Sequence, residues 1–287
     1  MFSCWFVRSS RKRIVALRVK EGAIITDQRI ANWITRFSAY CHAPTTQDLK
    51  RWLARFEIKD HAVAASVLDS IELMTELALL DGYRNALSRI PGWHSSGKQR
   101  TGRWVFAGYG PPAKSGASML GKFRKANRMT STTYQNMFVD ALQIPALGLT
   151  GADTIVFVDD FSGSGAQAVQ FWATTEELIG SDADAFLVLG AATATAIARI
   201  ERETRLKVIA AKILEDDQNI FSDTSDHFSA RERTRILHYC TIADKKAPKG
   251  YGDCGLLFAF NHTTPNNTIP IIHASNRHWR GCLPRLV

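Results

Sequence analysis

Apolar residues recur at helical spacing through the first third of the chain. Ile30, Trp33, Ile34, Phe37 and Tyr40 fall on one face of a 3.6-residue repeat. Leu49, Trp52, Leu53 and Phe56 do the same behind Thr45 and Thr46, which suit a helix cap. Val63, Val67, Leu68, Ile71, Met74 and Leu77 mark a third, longer helix, and Pro91-Gly92 ends the series. Aromatic stripes at this spacing read as core faces. From residue 100 the pattern changes. Short apolar runs at 103–107, 154–158, 185–190, 208–213 and 256–260 read as strands, and continuous runs of this kind suit strands buried on both faces of a parallel sheet. Helical patterns lie between them, through Met119, Phe123 and Asn127, then at 166–179, 194–203 and 229–243. This alternation predicts an α/β fold with a mostly parallel sheet and flanking helices, preceded by a helical region. The expected organisation is a basic arm over 1–25, a helical region over 26–95 and an α/β domain over 100–287. The last 20 residues are expected to add one short strand and then irregular chain.

Composition narrows the class. Of 287 residues, 45% are hydrophobic and 22% charged, which excludes a disordered chain, a collagen-like fibre and a coiled coil. No apolar stretch approaches the roughly 18 residues of a membrane-spanning helix, so no membrane role is expected. The basic start lacks an apolar run with a small-residue cleavage site, so no secretory signal is expected. The cysteines Cys4, Cys41, Cys240, Cys254 and Cys282 are scattered, odd in number and without a C-x-x-C pair, which argues against a disulfide framework and for a reducing cytoplasm. Lys and Arg total 36 against 27 acids, a formal charge of +9. Such a balance favours polyanionic partners, either nucleic acid or a substrate with several phosphates. Arg8, Arg11, Lys12, Arg13, Arg18 and Lys20 all precede the first acid, Glu21. They form either a solvated arm or a nucleic-acid or partner contact.

The chemistry is concentrated in residues 154–167. An apolar run ends in Asp159 and Asp160; the small-residue turn Ser162-Gly163-Ser164-Gly165 follows, and Ala166-Gln167 opens a helix. Glycine and serine let successive backbone N–H groups approach an anion, and the positive end of a helix dipole adds to the field. The carboxyl end of a parallel strand is where open α/β sheets bind ligands. Two carboxylates beside a phosphate cradle would repel a bare phosphate. They suit vicinal sugar hydroxyls or a divalent metal, so the segment fits a phosphorylated sugar. The lysine of a P-loop and the G-x-G-x-x-G fingerprint are both missing. A second small-residue loop, Pro112-Ala113-Lys114-Ser115-Gly116-Ala117-Ser118, lies between a predicted strand and a predicted helix. Residues 130–150 are the candidate lid. His262 follows a predicted strand, so it could face the same sheet edge, although a lone histidine there is more often structural. No general base stands out.

These residues resemble the phosphoribosyl-pyrophosphate (PRPP) motif of type I phosphoribosyltransferases. The resemblance implies that Asp159 and Asp160 hold the ribose hydroxyls, with Mg²⁺ accompanying the ligand and the same two acids its protein contacts. It implies that Ser162, Gly163, Ser164, Gly165, Ala166 and Gln167 take the 5′-phosphate, and that Lys114, Ser115 and Gly116 clamp pyrophosphate. Ala166-Gln167 stands where a threonine is usual, and Gly163 where Thr or Ser is commoner, which removes a hydroxyl donor. The VDDFSGSG core, the AKSG loop, Trp52-Leu53-Ala54-Arg55-Phe56 and Asn266-Asn267-Thr268-Ile269-Pro270 together resemble the phosphoribosyltransferase-like proteins of bacterial conflict systems. That branch includes proteins encoded beside retron reverse transcriptases. It implies an anti-phage effector acting on nucleotides or nucleic acid (DNA or RNA), with other defence proteins such as a reverse transcriptase as partners. A catalytically degenerate sensing or docking module is the alternative.

Overall fold

The computed structural model describes residues 25–111, 115–179 and 182–285, with Leu178 described in its backbone alone. Residues 1–24 of the basic arm, Cys4 and the loop lysine Lys114 lie outside the described residues. Helices α1 (Asp27–Phe37), α2 (Thr46–Leu53) and α3 (His61–Ser70) come first. Thr45 closes a capping box on α2: its side chain accepts from Asp48 N (3.2 Å) and Asp48 accepts from Thr45 N (3.0 Å). The long third helix does not form. It stops at Ser70, Ile71 is extended, and strand β1 (Glu72–Met74) follows. Helix α4 (Glu76–Ser88) then starts afresh behind Thr75, whose side chain accepts from Ala78 N. The apolar spacing is helical on both sides of this break, so periodicity alone hides it.

Strand and helix alternate from there: β2 (Trp104–Gly108), α5 (Ser115–Ala126), β3 (Thr154–Ser162), α6 (Ala166–Ile179), β4 (Asp184–Thr193), α7 (Ala194–Glu203) and β5 (Lys207–Leu214). The four strands form one parallel sheet in the order β2-β3-β4-β5, with Val156 opposite Phe106 and Phe186. Side chains alternate across it. Phe106, Val156, Val158 and Val188 pack on α4 and α5, while Val105, Ile155, Phe157 and Leu187 pack on α6 and α7. The expected α/β class with a mostly parallel sheet is the one observed.

Helix α8 (Ala230–Ala243), strand β6 (Phe258–Phe260) and helix α9 (Pro270–His273) complete the described elements. β6 does not extend the large sheet. It pairs in parallel with β1, so a strand read from a short apolar run joins a segment read as helix. The strand expected in the tail is instead α9, opened by Pro270 at its first position. A third core joins the two ends of the chain: Trp33, Phe37, Trp52 and Leu68 pack with Ile236, Ile271, Ile272 and Trp279. The indoles of Trp52 and Trp279 both donate to Ile271 O (2.7 and 2.9 Å). Residues 130–150, the expected lid, run along the β2 edge, where Val139 N donates to Phe106 O (3.0 Å), and their second 3-10 turn packs on α6.

Candidate functional site

β3 runs further than its apolar residues predict. Asp159, Phe161 and Ser162 stay in register with Leu189, Ala191 and Ala192 of β4, so the strand continues through both acids. Ser162, expected in the turn, is the buried last residue of the strand. Strict alternation would send Phe161 to the α6/α7 side with Phe157. It packs instead with Phe258 and Phe260 on the α4/α5 side, at centroid distances of 6.0 and 6.1 Å. The alternation breaks at the acid pair, and the two carboxyl groups come within hydrogen-bond reach of each other.

Helix α5 is brought to this point by a backbone-on-backbone contact. A Cβ on Gly116 would lie 2.2 Å from Tyr109 O, and one on Gly108 would lie 2.6 Å from the Gly116 carbonyl carbon. Only glycine at both positions allows that approach. As a result Ser115 Oγ donates to Asp159 Oδ1 at 2.6 Å. Tyr83 of α4 donates to Asp159 O (2.9 Å). Burial pushes the Asp159 carboxyl up to about 8, the Asp160 charge adds to the rise, and the Ser115 bond opposes it. The pair therefore carries less negative charge near neutral pH than two free carboxylates would.

Asp160, with its side chain 14% exposed, meets His262 Nε2 at 3.3 Å. The other ring nitrogen, Nδ1, is 3.4 Å from Asn261 Oδ1, and the ring lies tilted 5.2 Å from Phe260. The histidine follows β6, so the β1–β6 ribbon delivers it across a separation of 102 residues.

Gly163, Ser164 and Gly165 join β3 to α6. Thr193 Oγ1, which also caps α7, donates to Gly163 O (2.6 Å), and Arg199 Nη1 donates to Ser164 O (3.3 Å). Both carbonyls are thus held from the protein side. Among the described residues, no protein group accepts from the backbone N–H of Gly163, Ser164 or Gly165. Ala166 N reaches Ser164 Oγ at 3.4 Å, and Gln167 is exposed. Free amides at a helix N-terminus make an anion site. The turn is flanked on one side by Asn267: a Cβ at Gly163 would lie 2.2 Å from its Cγ. The Asn267 amide donates to Tyr251 O (2.8 Å) and to Cys254 Sγ (3.3 Å).

The structure therefore brings Ser115, Gly116, Asp159, Asp160 and the 163–167 turn to one end of the sheet. It adds Asn267, which the residue patterns did not assign to the site, and His262, which they left open between that sheet edge and a structural role. Among the described residues, no group of three or more His, Cys, Asp or Glu is arranged to hold a metal ion, and no helix is long and apolar enough to cross a membrane.

No curated protein matches the chain in sequence. The PRTase-CE family model matches residues 49–285, a span that takes in the whole sheet, the acid pair and the segments carrying His262 and Asn267. The chain belongs to the PRTase-CE family, and it carries a phosphoribosyltransferase-like α/β domain.

Proposed function

We propose that the carboxyl end of β3 binds a phosphoribosyl group, from PRPP or a related phosphoribosyl nucleotide. The observation that carries this reading is the pairing of three unaccepted backbone N–H groups at 163–165 with the adjacent carboxyl pair of Asp159 and Asp160. The 5′-phosphate is taken by the turn and the α6 dipole, with Ala166 and Gln167 opening that helix. The ribose hydroxyls face the acids. The diphosphate lies toward Ser115 and Gly116 at the start of α5, with Lys114, the residue before them in the sequence, as its expected cation. The carboxyl oxygens of Asp159 and Asp160 are the donor type Mg²⁺ prefers, Asp159 after giving up its proton, and this ion binds through one or two carboxylates together with substrate phosphates and waters. When bound it neutralises the charge of the departing diphosphate.

Turnover breaks the bond between C1 and the diphosphate oxygen and joins C1 to an acceptor. Positive charge then develops on the sugar ring, as in glycoside hydrolysis, and the negative charge the acid pair retains beside the protonated Asp159 counters it. A second reading is a nucleotide-sensing module without turnover. The absence of a hydroxyl side chain at Ala166 and Gln167, and the Asn267 contact on Gly163, favour it. The role as an anti-phage effector rests on the sequence resemblance alone. Calorimetry with PRPP and Mg²⁺, followed by pyrophosphate release with candidate acceptors, tests both. Binding that is lost in Asp160→Asn supports the site, release distinguishes an enzyme from a sensor, and no binding by the wild type refutes the assignment.

A further inference from the structure

Between Asp81 and Asp140 the chain carries ten lysines and arginines and not one aspartate or glutamate. Three of these cations are met by acids from outside the stretch or at its edge: Arg84 by Asp81 (2.8 Å), Lys122 by Glu76 (2.7 Å) and Arg103 by Asp153 (2.7 Å). Arg89 donates to Ala210 O on β5 (2.6 Å). Among the described residues, Lys98, Arg100, Arg124, Lys125 and Arg128 have no carboxylate partner, and Arg100 Nη1 is buried without a hydrogen-bond partner.

Two of the five, Arg100 and Arg124, are joined through one aromatic row, and the other three lie within four residues of them in the chain. The Arg100 guanidinium lies over Trp93 (4.9 Å) and that of Arg124 over Phe138 (4.9 Å). Trp93 meets Phe106 edge-on at 5.5 Å, and Phe106 stacks on Phe138 at 5.2 Å. A continuous row therefore runs guanidinium, three rings, guanidinium. Tyr134 Oη donates to Ser95 O (3.1 Å), which ties the 93–100 loop to the segment after α5. Lys98, two residues before Arg100, and Lys125 and Arg128, which follow Arg124, are exposed, and the nearby exposed residues Gln99, Thr132 and Gln135 are neutral and polar.

We propose that this face binds nucleic acid through its phosphate backbone. A surface rich in cations, with neutral polar groups and ordered guanidinium planes, matches a polyanion. An anionic bilayer would call for apolar side chains to insert, and no large hydrophobic residue of 82–139 is exposed among the described residues. The face sits at the far end of α5 from Ser115. Arg124 is nine positions further on, about 14 Å along a helix that rises 1.5 Å per residue. It is therefore separate from the acid pair and docks a strand rather than presenting a sugar phosphate to it.

The test is fluorescence anisotropy of the full chain with labelled mixed-sequence DNA and RNA, single-stranded and duplex. With five phosphate contacts, single-strand affinity should fall about 10²-fold between about 50 and 200 mM salt. The combined variant Lys98→Glu, Lys125→Glu, Arg128→Asn should bind at least about tenfold more weakly. Its neutral counterpart, Lys98→Gln, Lys125→Gln, Arg128→Asn, should weaken binding less. Both should keep the wild-type circular dichroism spectrum and PRPP titration. A variant with Arg8, Arg11, Lys12 and Arg13 replaced by Ser should bind within about twofold of wild type. No binding by the wild type at low salt overturns the proposal. So does wild-type affinity in both face variants, or a loss confined to the arm variant.

Discussion

Replacing Asp159 with asparagine removes one titration while keeping the shape of the site. Asparagine Oδ1 still accepts from Ser115, and the amide is neutral, as the buried acid is at pH 7. Burial and the neighbouring Asp160 charge raise this carboxyl from 3.8 to about 8. Between those values the folded protein holds a proton that the unfolded chain releases. Stability from this group is therefore complete below about pH 4 and falls by about 1.4 kcal/mol for each pH unit until it is gone above about 8. The other shifted carboxyls, Asp48, Glu76, Asp153 and Glu203, are lowered, so their contributions are present above the ordinary carboxylate range and are lost only as pH falls through it. Buried His273 is lowered from 6.5 to about 4, so its contribution grows with pH across that interval and is flat above it. This leaves about pH 6.5 to 8 as the window where Asp159 acts unopposed. The wild type should lose about 2 kcal/mol there, which for a chain of 287 residues is about 3–4 °C in Tm. Thermal melts of both proteins at matched ionic strength across this window provide the measurement. Wild-type Tm should decline while Asp159→Asn stays level. Parallel slopes would show that Asp159 is already ionised at neutral pH. A variant several kcal/mol less stable at the low-pH end, where both side chains are neutral, would show that the amide does not fit and that the argument is wrong.

Two further substitutions test the scaffold. Gly116→Ala places a methyl against the Tyr109 backbone, which cannot rotate away, so α5 must shift off β2; the expected cost is about 1–3 kcal/mol, with PRPP binding weakened through loss of the Ser115–Asp159 bond. Wild-type melting and binding would mean that the two glycines do not set the position of the helix. Asp153→Ala strips partners from Arg103 N (2.7 Å) and Thr150 N (2.8 Å) at the start of β2 and β3, for an expected loss of about 2–4 kcal/mol at pH 7. Because the Arg103 guanidinium holds the Asp153 carboxyl well below the usual range, the gap between variant and wild type should narrow in acid, and a gap that widens there would contradict the assignment.

Much of the sheet was legible because each buried strand is a short apolar run and each crossover helix shows a clear periodicity. The runs at 185–190 and 208–213 became β4 and β5, each a few residues longer, and the helices at 166–179 and 194–203 were located to the residue. β3 was underestimated because residues 159–162 owe their strand conformation to register with β4 and not to their own hydrophobicity. The break between α3 and α4 was missed for the converse reason. Ile71 and Met74 keep helical spacing, yet β1 is stabilised by β6, a partner that lies far along the chain. The same distance hides much of the site. Asp159, Asp160 and the small-residue turn are contiguous and can be read as a unit. The protonation of Asp159 depends on Ser115, supplied by a helix whose approach two glycines permit, and on burial beneath distant segments. His262 and Asn267 arrive by the 250–269 segment, whose Leu257, Ala259 and Ile269 belong to the core that joins the two chain ends. A carboxyl pair in a motif states which atoms are available. How many protons the pair holds is decided by the tertiary contacts around it, and in this fold those contacts come from segments up to about a hundred residues away.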